Sequence, residues 1–208
     1  MEHHSFKQSF YKKYIPNNSI IYDLGAHIGA LAFNFSLMGY KVYAFEGSPL
    51  NIQTLEDQAH LYPPIFIIPV ALGTEKKDVL TKFNNSLAPL GEYTEQFIKF
   101  RVLEDFVKEN NIPDPSLIKI DIEGMESVVL LGCKRLLEIV RPIWQLSLHE
   151  TITFKANHYP GFVTKENGGF DFSTFKKLNY NLYDMDLNKV NEIVGDAEYF
   201  LVPKEKDL

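Results

Sequence analysis

Cysteine is almost absent from this chain. The single one, Cys133, excludes an intramolecular disulfide and leaves too few thiols for a zinc cluster. A reducing cytoplasm is the compartment that fits. No apolar run approaches the roughly 20 residues that a bilayer span needs, so no membrane partner is expected. The opening residues, Met1 to Phe10, are polar and lack the apolar centre of a secretory leader. His3 and His4 read there as ordinary surface residues. Basic excess is missing as well. A net charge of −6 argues against a nucleic-acid partner, because a phosphate backbone calls for a basic surface. Oligomeric state is left open.

What is present is apolar and well patterned. With 208 residues and 45% apolar content, the chain is expected to fold as one domain, 1–208, around a real core. The organising stretch is Ile20 to Gly29, I-I-Y-D-L-G-A-H-I-G. Apolar Ile20, Ile21 and Tyr22 lead into Asp23, then Gly25 and Gly29, then apolar Ala30 to Met38. The pattern predicts a buried strand, a glycine turn and a buried helix. Such a turn lets a ligand approach the backbone, with the free N–H groups of the helix start facing it. A second apolar run, Val42 to Phe45, ends at Glu46, where nucleotide-binding α/β folds hold a ribose hydroxyl pair. A dinucleotide site wants G-x-G-x-x-G; here D-x-G-x-x-x-G lacks the middle glycine. A nucleotide-dependent oxidoreductase is therefore an alternative with one feature against it. A binding protein that keeps the fold without catalysis is another.

The remaining chain alternates strand and helix. Phe6, Phe10 and Tyr14 form a helical stripe within an N-terminal extension, 1–18, expected to pack over a sheet edge. Ser48-Pro49 reads as an N-cap followed by proline at the first helical position. Ile65 to Val70 is a third strand, and Ala71-Leu72-Gly73 follows it. Asp78 to Phe83 and Phe97 to Val102 are short strand candidates, and Leu103 to Asn110 is a helix. Leu117 to Ile120 is a fourth strand that delivers Asp121. A helix is predicted from about Met125 to Val140, then a fifth strand, Ile143 to Leu148, ending at His149-Glu150. Thr151 to Phe170 is read as a lid or acceptor loop. Asp171 is placed to cap a short helix, and Tyr180 to Tyr183 and Glu198 to Val202 close the sheet as strands. Trp144 and Cys133 are expected in the core. Alternation of this kind predicts a parallel sheet with helices on both faces and a ligand cleft at the carboxyl ends of the strands.

The glycine turn resembles the first motif of class I S-adenosylmethionine-dependent methyltransferases. Together with A-F-E-G-S-P, the Val70-Ala71-Leu72-Gly73 turn, L-I-K-I-D-I-E-G-M-E at Leu117 to Glu126, and R-P-I-W-Q-L-S-L-H-E, the sequence is similar to the FkbM family of methyltransferases. Lys119, Ile120, Asp121, Glu123, Gly124 and Glu126 match that family's K-I-D-x-E-G-x-E pattern. The resemblance implies an α/β, Rossmann-like class I methyltransferase fold. Its features are a mainly parallel seven-stranded sheet, helices on both faces and a C-terminal antiparallel hairpin. It also implies S-adenosylmethionine as cofactor and O-methylation of a small-molecule or glycan acceptor. On this reading Gly25, Ala26, His27 and Gly29 hold the methionine part of the cofactor. Glu46 takes the ribose, Ser48 and Ala71 lie at the adenine, and Asp23 and Gly47 are further cofactor-binding residues. Asp121 stands between cofactor and acceptor. Catalytic candidates are Asp121, Glu123 and His149; Glu126 is read as decorating a helix start. No metal is assigned, although Asp121, Glu123 and His149 include suitable donor types. Three positions depart from the family: asparagine often stands at His27, proline at Gly47, and a glutamate near Ser147.

Overall fold

The computed structural model describes residues 6–62, 64–84, 93–148, 169–194 and 197–207. Helix α1 (Gln8–Tyr14) precedes strand β1 (Ile20–Leu24), α2 (Ala30–Leu37), β2 (Lys41–Phe45), α3 (Pro49–Ala59) and β3 (Ile65–Ile68). Next come β4 (Ala71–Leu72), β5 (Lys77–Asn84), β6 (Tyr93–Arg101), α4 (Leu103–Glu109) and β7 (Leu117–Ile120). The chain continues through α5 (Glu126–Leu131), a π-helical turn at Leu136–Val140 and β8 (Ile143–Ser147). It closes with α6 (Ser173–Lys177), β9 (Tyr180–Asp184), β10 (Lys189–Val190), β11 (Glu198–Pro203) and a 3-10 turn at Lys204–Lys206.

Eight strands form one sheet in the order β10-β9-β11-β8-β7-β1-β2-β3. The five strands β3, β2, β1, β7 and β8 run parallel, so their carboxyl ends share one side. Strand β11 inserts antiparallel between β8 and β9. Strands β1, β2, β7 and β8 are mainly apolar because both faces are covered, with Asp23, Lys119 and Gln145 as buried polar exceptions. One face packs Ile21, Val42, Leu117, Ile143 and Phe200 against Tyr11 and Phe35. The other packs Tyr22, Ile118, Trp144 and Leu201 against Leu103, Val129 and Phe175. Trp144 and Cys133 are fully buried there.

Several local expectations need correction. The two strand candidates between β4 and α4 are longer than expected and build a separate three-stranded sheet, β4-β6-β5. The main sheet gains an eighth strand in β10. Helix α1 lies over the sheet face, not an edge: the Phe10 ring stacks on Phe200 of β11 at 3.9 Å. The helix expected from Met125 to Val140 is broken at Gly132, where Gly132 N–H turns back to Val129. A new segment then starts, and Glu104 of α4 accepts the Leu136 N–H at 2.7 Å. Asp171 does cap α6, accepting the Ser173 N–H at 3.0 Å. The expected loop at 151–170 falls almost wholly outside the described residues, as do His149 and Glu150.

Candidate functional site

The parallel strands bring the acids of their tips together. Asp23 sits near the end of β1, Glu46 just past β2 and Asp121 just past β7. Gly25 makes the approach possible. Its φ is +83°, and a Cβ there would fall on the carbonyl oxygen of Asp121. The N–H groups of Gly25 and Ala26 both reach the Phe45 carbonyl at 3.0 Å, which ties the turn to β2. His27 has φ 53°, a left-handed conformation that costs a non-glycine residue energy. Its N–H is thereby aimed at Glu46, whose Oε2 accepts it at 2.8 Å.

Glu46 is nearly buried and clasped from two sides. Its Oε1 accepts the Ser48 N–H at 2.8 Å and the Asn51 amide at 3.4 Å. Burial raises its pKa, and these donors partly offset the rise. A carboxylate has about four lone-pair sites; the three donors named here leave at most one for a ligand hydroxyl. Beside it, Ser48 Oγ and Asn51 Oδ1 are buried and make no hydrogen bond among the described residues. Ser48 does occupy the N-cap position of α3, with Pro49 next, but its hydroxyl caps nothing. Gly47 lacks a side chain for a local reason: a Cβ would come within 2.7 Å of the Ala71 Cβ on β4. Ala71 and Gly47 therefore stand against each other.

Asp23 is the unusual group. It is 1% exposed and neither carboxylate oxygen makes a hydrogen bond among the described residues. Burial lifts its pKa to about 6; Lys119 pulls it down, while Asp121 and Glu46 push it up. The Ala32 N–H in the first turn of α2 is the weakest of these influences. Lys119, on β7, is 3% exposed and its Nζ lies 2.8 Å from Asp121 Oδ2.

After β7 the chain turns sharply through Glu123 (φ 54°) and Gly124 (φ 94°). Glu126 holds that turn closed: its Oε1 accepts the Ile122 N–H at 2.9 Å and the Gly124 N–H at 3.2 Å. So Glu126 acts on the turn's backbone, and helix-dipole decoration is not its main part. Glu123 is exposed beside Asp121. His149 lies outside the described residues. No group of three His, Cys, Asp or Glu among the described residues is arranged to hold a metal ion. Among them, too, no helix is long and apolar enough to cross a membrane.

Five residues escaped sequence reasoning. Lys119 was visible only as a motif match, and Asn51 only as a polar position in a helix. Tyr11 and Gln145 meet across 134 positions, the Tyr11 hydroxyl donating to Gln145 Oε1 at 2.7 Å. The fifth, Glu198, is the partner of Ser147. The Ser147 hydroxyl donates to Glu198 Oε1 at 3.4 Å, and the two residues are register partners on β8 and β11. A carboxylate thus stands at this end of the sheet from the neighbouring strand. Only strand register, which the sequence does not display, could reveal it.

The unbonded atoms of Asp23, Ser48 and Asn51, set around Glu46 and the glycine turn, fit a ligand bearing both hydroxyls and a cationic group. Comparison with known proteins gives the same direction. The family described as Methyltransferase FkbM domain matches residues 23–184. The hexuronic acid methyltransferase AglP of Haloferax volcanii is 27% identical over 129 residues, 59% of this chain. That alignment covers 53% of the relative, so the chain spans about half the length of the curated relative it matches. Among solved structures, methyltransferase FkbM from Methylobacillus flagellatus KT superposes with a TM-score of 0.56 at 18% identity. The match covers 88% of this chain and 43% of that one. Fibrillarin from Aeropyrum pernix, solved with natively bound S-adenosyl-L-methionine, gives 0.52 at 12% identity, over 91% and 68%. Likeness at these identities establishes the Rossmann-like class I methyltransferase fold.

Proposed function

The chain belongs to the FkbM methyltransferase family, and from that premise we propose that it moves a methyl group from S-adenosylmethionine to an oxygen of a small hydroxylated acceptor, a sugar or glycan first of all. The observation that carries this reading is the set of buried, unbonded polar atoms at the strand tips: the Asp23 carboxylate, Ser48 Oγ and Asn51 Oδ1. A fold retains such atoms at a cost, and a ligand that bonds them removes it. In the proposal the turn from Gly25 through Ala26 and His27 to Gly29, with Asp23 beneath, receives the amino-acid end of the cofactor. Glu46 takes a ribose hydroxyl. Gly47, Ser48 and Ala71 border the adenine. Support for a glycan acceptor comes from the Haloferax relative, whose name assigns it a hexuronic acid.

The donor supplies a methyl group already activated on a sulfonium. The protein therefore has two tasks. The larger is to hold the acceptor oxygen in line, where orientation alone lowers a barrier by several kcal/mol, on the order of 7–11 in the best cases. The smaller is to take the hydroxyl proton, typically about 10²–10⁴-fold in rate. Asp121, partly exposed beside Gly25, is the group we assign to both acceptor contact and proton removal. Glu123 borders the same opening.

Calorimetry separates the readings. S-adenosylmethionine and S-adenosylhomocysteine are expected to bind, and NAD is not. Glu46→Ala should weaken S-adenosylmethionine by about tenfold or more, the worth of a charge-assisted hydrogen bond. Tight NAD binding with no response to either sulfur ligand would overturn the proposal in favour of an oxidoreductase. Acceptor turnover is read with neutral sugars and uronates side by side. Methylation confined to nitrogen or carbon acceptors would remove the O-methylation reading.

A further inference from the structure

The sheet hides a row of polar side chains directly beneath the site. Asp23 on β1, Lys119 on β7 and Gln145 on β8 are register partners across three adjacent strands. They are 1%, 3% and 0% exposed. They stand two positions beyond Ile21, Leu117 and Ile143, so all three point toward the face covered by α1 and α2. Tyr11 of α1 closes one end of the row through its bond to Gln145. From the middle of the row Lys119 reaches up its own strand to Asp121 at 2.8 Å. A buried ammonium is costly, and an apolar side chain of the same length would fill the place without that cost.

We propose that Lys119 is a positioning residue of the transfer site: from below it fixes Asp121 and keeps Asp23 and Asp121 charged together, so that Asp121 faces a cationic ligand with a second carboxylate buried beneath it. The inference rests on the methyltransferase reading and adds a residue to it. Neighbouring carboxylates in a dry site share a proton unless a cation intervenes. The groups that face Asp23 are Lys119 and Asp121 of β7, Glu46 beyond β2, Tyr11 of α1 and the Ala32 N–H of α2. Of the charged groups among the described residues named here, Lys119 is the one that favours the ionised form. S-adenosylmethionine carries a sulfonium charge that S-adenosylhomocysteine lacks. With both carboxylates ionised the site favours the former; after transfer that part of the attraction is gone and the product is held less firmly. Without Lys119 a proton takes up residence on the pair and the distinction fades.

The test is calorimetry of both sulfur ligands with the full chain from pH 5.5 to 8.5. For Lys119→Met, the acid limb of S-adenosylmethionine binding should move up by about one pH unit or more. The preference over S-adenosylhomocysteine at pH 7 should fall about tenfold. Adding Asp23→Asn to Lys119→Met should bring the acid limb back down, since one acid is then left to ionise alone. A pH profile and a preference equal to the parent's would overturn the proposal and leave Lys119 as filler. If Lys119→Met does not fold, Lys119→Gln carries the test. It should show the same rise of the acid limb and the same fall in preference; an acid limb and a preference equal to the parent's overturn the proposal. A parent chain that binds neither ligand overturns the methyltransferase reading and this inference with it.

Discussion

Asp23 shows what a single residue costs the fold. A carboxyl in water has its pKa at 3.8, and in the folded chain this one is pushed up to about 6, first by burial and then by Asp121 and Glu46. Between those values the folded protein holds a proton that the unfolded chain has released. Stability of the cofactor-free protein should therefore fall as pH rises from about 4 to about 6 and stay lower above that. A gap of about two pH units corresponds to about 3 kcal/mol. Asp23→Asn removes the titration. The expected outcome is a higher melting temperature at pH 7, by several degrees, with little change at pH 4, alongside S-adenosylmethionine affinity weakened about tenfold or more. Scanning calorimetry at the two pH values and titration with the cofactor read both effects. A lower melting temperature at pH 7 would mean the charge is well satisfied within the fold. Stability given up at a binding site is a common pattern where ligand-ready groups are kept unbonded.

Among elements, the turn after β7 is held by one side chain. Glu126 is 2% exposed and its carboxylate takes two backbone N–H groups, those of Ile122 and Gly124. Without it the left-handed pair Glu123 and Gly124 loses its brace. Glu126→Ala should lower stability by about 1–2 kcal/mol in urea unfolding, since two part-buried donors lose their partner. Cofactor affinity should fall as well, because Asp121 begins this turn; unchanged affinity would show that the turn does not set Asp121. The sequence displayed this element and the other strand tips clearly. Strands β1, β2, β7 and β8 are covered on both faces and so read as mainly apolar runs, with Asp23, Glu46 and Asp121 at or just past the ends of the first three. The sheet of β4, β6 and β5 was poorly visible for the opposite reason. In K-D-V-L-T-K-F-N and Y-T-E-Q-F-I-K-F-R the pattern is mixed, and Leu80 and Phe97, which face each other across the pair, are both exposed. Helical periodicity also passed over the break at Gly132, because apolar spacing continues through Leu136 although the backbone does not. Asp23, Gly25, Glu46 and Asp121 were legible because a parallel sheet gathers strand tips by its topology. Lys119, Gln145, Tyr11 and Glu198 were not, because their meeting depends on register and on contacts between distant segments.

For the whole molecule, the question is what keeps α1 seated over the polar row. Its far end is tied to the last described residue. Asp207 accepts the Tyr14 hydroxyl of α1 at 3.1 Å and the Tyr183 hydroxyl of β9 at 2.6 Å, together with the Asn181 amide of β9. Lys206 adds a bond from its Nζ to the Arg141 carbonyl at 2.6 Å. One carboxylate thus joins the first helix, the returning strand and the C-terminal turn. Burial opposes the charge on Asp207, but the three donors outweigh it and hold the pKa below the ordinary value. A depressed carboxyl contributes stability fully above its unfolded pKa, near 4, and loses it as pH falls through the lower folded value. Asp207→Ala should therefore destabilise the protein at pH 7, by about 1–3 kcal/mol given partial exposure, and should matter least at the acid end. Because Phe10 and Tyr11 still pack on Phe200, the helix should stay attached but fray from Tyr14. Hydrogen exchange would show this as faster exchange at Tyr14 and Ile15 than at Tyr11. Uniform protection across α1 in the variant would mean that aromatic packing alone seats the helix and that the Asp207 carboxylate has no part in holding the site's floor.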